Sequence, residues 1–97
     1  MNLRFHKDAK FEFKESITYY HKINASLGLD FITEVQLTLN RIKVYPDAWA
    51  VLDGNIRRAL VNRFPFGILY TINKSEIYII AVMNLHRIPT YWEGRID

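Results

Sequence analysis

Apolar and polar positions recur along this chain with two different periods, and the change of period divides it in half. Asn2 to His6 alternates, with Leu3 and Phe5 on one side, as a short strand does. Ala9, Phe13, Ile17 and Tyr20 then fall at spacings of three and four, which predicts a helix from Ala9 to about Lys22. Asp8 stands before it as the N-cap residue, and Glu12, Lys14, Glu15 and Lys22 lie mostly off the apolar stripe. Asn24 to Gly28 carries turn residues and reads as a break. A second helix is predicted from about Leu29 to Tyr45, with Ile32, Val35, Leu39 and Ile42 as its buried stripe and Phe31 and Thr38 flanking it. Pro46 ends it, because proline disfavours helical backbone in the residue before it. Helices joined by so short a turn fold back on each other as a hairpin.

After a loop from Pro46 to Asn55 the pattern is that of strands. Three are predicted: Ile56 to Asn62, Phe66 to Ile72, and Ile77 to Met83. Asn73 to Glu76 reads as the turn of a hairpin between the last two. Ile77 to Val82 is apolar on both faces, which predicts a central strand covered by helices. The order is β-α-α-β-β-β. It implies an α+β fold, a helical hairpin packed on a mostly antiparallel twisted sheet. Residues 1–97 are expected to form one domain, with no repeat or linker.

Composition narrows the function classes. Of 97 residues, 49% are hydrophobic and 24% charged, which excludes a disordered chain. So short a domain buries a modest share of its surface, which suits a chain stabilised by a partner. There is no cysteine, so disulfides, thiolate metal sites and cysteine nucleophiles are excluded. The three histidines have no metal-ligand spacing, and neither metal nor cofactor is expected. No apolar run reaches the roughly 18 residues of a membrane span. Met1 to Lys10 is charged and lacks a signal peptide's apolar core, so a soluble, cytoplasmic protein is expected.

The net charge of +3 is unevenly placed. Up to Asp53, seven Lys/Arg balance seven Asp/Glu. From Gly54 onward, Arg57, Arg58, Arg63, Lys74, Arg87 and Arg95 face only Glu76, Glu93 and Asp97. Arginine grips phosphate and carboxylate in two-point contacts. This half is either a solvated basic face or a site for RNA or an acidic partner segment.

Two stretches resemble a known family. Arg63-Phe64-Pro65-Phe66-Gly67-Ile68-Leu69-Tyr70 resembles the R-F-P-[FY]-x-I-x-Y stretch of RelE/ParE superfamily toxins. Ile79 to Arg95, running Ile-Ile-Ala-Val-Met-Asn-Leu-His-Arg-Ile-Pro-Thr-Tyr-Trp-Glu-Gly-Arg, resembles that superfamily's last strand and tail. Tyr19-Tyr20, Phe31 and Pro46 agree in the first half. The resemblance implies the toxin of a type II toxin–antitoxin system, a plasmid stabilisation protein, in a hetero-oligomer with its antitoxin. The target it implies first is the ribosome and mRNA, with translation inhibited by a metal-independent endoribonuclease that cuts ribosome-bound mRNA; the alternative is DNA gyrase, blocked without catalysis. A non-toxic antitoxin-binding module is a third possibility.

RNA cleavage without metal needs a base for the 2′-OH, an acid for the leaving 5′-oxygen, and cations for the phosphorane charge. Arg63 and Arg87 are candidates for the cations. His86 is a candidate proton carrier, since histidine changes charge near neutral pH. Tyr91 is the second proton carrier or a stacking platform. Arg57 or Arg58 would hold backbone phosphates, and strand alternation lets only one of the two face a given side. Arg95 is a further phosphate candidate, expected at the surface near the terminus. Trp92 is read as a lid packed on the sheet, Tyr19 and Tyr20 as helix-packing residues, and His6 and His21 as having no role. The chain departs from the family's V-x-H-x-x-R pattern, because Asn84 stands in the histidine's place and asparagine carries no proton at neutral pH. The lysine-rich active strand of RelE-like members is missing too, Lys74 being the only lysine after Lys43. Both departures favour gyrase inhibition or a weakened enzyme.

Overall fold

Residues 1–95 are described by the computed structural model; Ile96 and Asp97 lie outside the described residues. The elements are β1 (Asn2–Phe5), α1 (Lys7–Ile23), α2 (Ala25–Val44), β2 (Val51–Asp53), β3 (Ile56–Leu60), β4 (Phe66–Asn73) and β5 (Glu76–Asn84), then a 3-10 turn over Glu93–Arg95. The strands form one sheet in the order β1-β5-β4-β3-β2. β1 runs parallel to β5, and all other pairs are antiparallel. The predicted α+β arrangement of a helical hairpin on a mostly antiparallel sheet is therefore present, with one strand added.

That strand, β2, falls in the segment read as a loop. Its three residues are all exposed, so they carry no burial pattern. It is turned onto β3 by Gly54, whose φ of +57° suits glycine. The helix boundaries also differ from expectation. The N-cap of α1 is His6, not Asp8: the His6 Nδ1 accepts the Asp8 backbone N–H at 3.0 Å. His6 thus has a structural role. The break between the helices is one residue, Asn24. Its backbone N–H donates to the Tyr20 carbonyl and closes α1, while its side chain accepts from Ser26 N at 2.9 Å and caps α2. One residue does both tasks, so Ser26, Leu27 and Gly28 are helical. Tyr45, held off helical geometry before Pro46, ends α2 one residue earlier than expected.

The helices cover one face of the sheet. Ala9, Phe31, Val35, Thr38, Leu39 and Ile42 are buried there against Ala59, Ile68, Ile79 and Val82. Phe31 and Thr38, expected as flanks, are fully inside, whereas Ile32 is only half-buried. Phe31 is the centre of an aromatic cluster, with ring centroids 5.1 Å from Tyr20 and Phe64 and 4.9 Å from Phe66. This gives the Arg63-Phe64-Pro65-Phe66 stretch a packing reason: its two phenylalanines bind the sheet to the hairpin.

The other face is not covered by helices. Ile56, Leu69, Ile80, Ala81 and Met83 are buried there with Trp92. Residues 85–95 fold back over them after β5. Trp92 is therefore the lid its sequence position suggested, at 2% exposure. β5 is apolar on both faces because a helical hairpin covers one and this C-terminal strap the other.

Candidate functional site

The site grows from an irregularity in β5. Tyr70 pairs with Ile79, but Leu69 pairs with Ala81, which leaves Ile80 without an opposite residue. This is a β-bulge, and it puts Ile80 and Ala81 on the same sheet face. β1 has already ended, its last partner being Ile79. Beyond that point the free edge of β5 has backbone groups with no neighbouring strand. Two side chains meet them. The Glu12 carboxylate accepts the Val82 N–H at 3.0 Å, and Arg95 donates to the Ile80 carbonyl at 3.1 Å.

Glu12 is the hub. Arg95 donates to both its oxygens at 2.9 Å, a two-point pairing, with Arg95 side chain 13% and Glu12 side chain 11% exposed. The Tyr91 hydroxyl donates to Glu12 Oε2 at 2.7 Å. Arg87 approaches the same oxygen at 3.7 Å and lies over the Tyr91 ring, 3.8 Å from its centroid. Asp8 adds a second carboxylate, 3.8 Å from Arg95 Nε. Burial and then the Glu12 carboxylate push the Tyr91 phenol well above the usual tyrosine range. Burial is the largest single influence on Arg95 and opposes its charge, but the hydrogen bond to Glu12 together with the charges of Glu12, Tyr91 and Asp8 raises the guanidinium.

The predicted site residues divide accordingly. His86, Arg87, Tyr91 and Arg95 come to one region. His86 and Arg87 line neighbouring grooves against α1 that share Glu15, Ser16, Phe66 and Asn84. The His86 groove holds about 410 Å³. His86 itself is exposed, and its backbone N–H donates to the Asn84 side chain at 2.9 Å. Asn84 thus shapes the turn after β5. Arg95 corrects the expectation of a surface residue, because Glu12 and the bulge draw it inward. Tyr20 packs in the core as expected, while Tyr19 is 63% exposed on the groove wall.

Arg63 and Arg57 are engaged elsewhere. Arg63 reaches α2, 3.2 Å from Asp30 and 4.0 Å from Glu34, with its backbone left-handed at φ 71°. Arg57 donates to the Trp49 and Asp47 carbonyls and ties the 46–50 loop to the sheet. Arg58 points to the opposite face, as alternation required. It lies across Gly67, where an added Cβ would come within 3.1 Å of its stem. Of the two neighbours, Arg57 is held by the loop and Arg58 has no ion pair among the described residues.

Glu12 was missed from sequence. A single carboxylate on a helix reads as solvated, yet Glu12 and Ser16, four apart, each stand one position before a residue of the stripe, Phe13 and Ile17. That spacing was the available signal.

No family model matches the chain, and no curated protein matches it. A solved chain from the chromosomal ParDE TA system of P. aeruginosa has the same fold, with a TM-score of 0.76 and 14% identity. The match covers 89% of this chain and 97% of that one. At this identity the likeness establishes the fold, and it is the fold that the RelE/ParE resemblance implied.

Proposed function

We propose that this chain is the toxin of a type II toxin–antitoxin pair and that it acts by binding DNA gyrase without catalysis. The shared fold and the two RelE/ParE-like stretches support the toxin reading. The observation that carries the choice of mechanism is the Glu12 hub. A metal-free RNA cut needs two proton carriers free to exchange protons at one phosphate. Tyr91 spends its hydroxyl on Glu12 and is held as a phenol, so it is no base near neutral pH. Asn84 stands where relatives carry histidine. Of the expected pair, His86 alone is open to solvent.

A second reading, ribosome-dependent mRNA cleavage, is favoured by one observation: His86 and Arg87 line neighbouring grooves with common walls, a proton carrier near a cation. Inducing the chain in cells, with and without a candidate antitoxin, tests both. Growth arrest with a DNA-damage response, intact mRNA and rescue by the antitoxin is expected. Primer extension showing ribosome-dependent cuts, abolished by His86→Ala with Arg87→Ala, would establish the second reading instead. Normal growth with soluble, folded protein would reduce the chain to an antitoxin-binding module.

A further inference from the structure

The bulge in β5 creates a need that a distant residue answers. Ile80 C=O and Val82 N–H emerge where β1 no longer runs, and groups left unpaired there would be costly. Glu12, one of the few charged side chains nearly out of water, accepts from Val82 and pairs with the arginine that donates to Ile80. The same carboxylate accepts from Tyr91, 79 positions away in the chain, and lies 3.7 Å from Arg87. Arg95 and Tyr91 are otherwise tail residues. Arg87 is half-exposed, and its guanidinium is fixed from one side by Glu12 and from below by the Tyr91 ring.

We propose that Glu12 is a positioning residue: it fixes Arg87 and docks the C-terminal strap, and so shapes the surface the target meets. The link to the target rests on the toxin reading; the docking of the strap does not. Glu12 touches no target. It acts through Arg87 and through the strap that Tyr91 and Arg95 anchor. Glutamine at this position keeps one oxygen for Val82 but removes the charge that holds the three partners. Aspartate keeps the charge on a shorter arm.

The test measures two things on the full chain. Strap docking is read from Trp92 emission, with Trp49 replaced by Phe in every variant, and from exchange of the Val82 amide. Target action is read from the concentration that halves gyrase supercoiling, or translation if that proves to be the target. Glu12→Gln is expected to speed Val82 exchange, red-shift Trp92 and raise the half-inhibitory concentration about tenfold, the scale of one charged hydrogen bond. Glu12→Asp should recover part of each. Tyr91→Phe removes one contact without leaving a buried charge and covers the case in which Glu12→Gln does not fold; a loss of a few-fold is expected. Unchanged strap readouts in the folded variants would overturn the proposal. So would a loosened strap with undiminished inhibition. Inactive wild-type protein with a strap that still depends on Glu12 would sink the toxin reading and leave the docking role standing.

Discussion

Glu12 has an uncommon set of partners for a residue in the middle of an exposed-looking helix: two arginines, a phenol and a backbone amide. Removing one member of a buried ion pair strands the other, which costs about 3 to 5 kcal/mol. Glu12→Ala is expected to lose about 3 kcal/mol in urea unfolding, and a loss below about 1 kcal/mol would contradict the hub. Tyr91 adds a pH dependence. Its folded-state proton is held above the ordinary tyrosine value of about 10, so the unfolded chain ionises first as pH rises. The contribution is present in full below about pH 10 and is lost above it. Tyr20 and Tyr70 are raised by burial and act in the same direction. The unfolding midpoint should therefore fall steeply above pH 10, and Tyr91→Phe should flatten that fall. An equal slope in the variant would mean that Tyr91 has no part in it.

At the scale of elements, the two helices approach closely at their corner. A Cβ added to Gly28 would sit 3.0 Å from His21 Cβ and 3.1 Å from His21 Cα, and backbone cannot yield as a side-chain end can. Gly28→Val should force the helices apart and cost about 2 kcal/mol, measured by thermal unfolding. Unchanged stability would show that the corner has room. The helices and the three long strands were legible because each buries one face, or two, of a periodic pattern. The short strand β2 was not, since Val51, Leu52 and Asp53 are all exposed and pair only by backbone. The bulge was hidden for the opposite reason. Ile79 to Val82 is apolar throughout, so a one-residue slip leaves no mark on the pattern. Without the bulge, neither the inward course of Arg95 nor the purpose of Glu12 follows.

At the scale of the molecule, the sheet is enclosed by the helical hairpin on one side and the strap on the other, and the candidate residues gather where strap, β5 and α1 meet. Much of the basic excess of the second half is tied within the fold: Arg57 by a loop and Arg95 by Glu12, both largely covered, and Arg63 by α2 and Arg87 by Glu12 at the surface. Charge arithmetic pointed to a phosphate-binding face, and among the described residues of this half Arg58 and Lys74 are the cations with no carboxylate partner. That disposition fits a surface shaped for a protein target better than a channel for RNA. The most direct measurement is a supercoiling reaction with purified gyrase, relaxed plasmid and ATP, run beside a cell-free translation of a defined mRNA. Supercoiling should stop as the chain is added while the mRNA stays whole. Unimpeded gyrase together with discrete ribosome-dependent breaks would contradict the mechanism proposed.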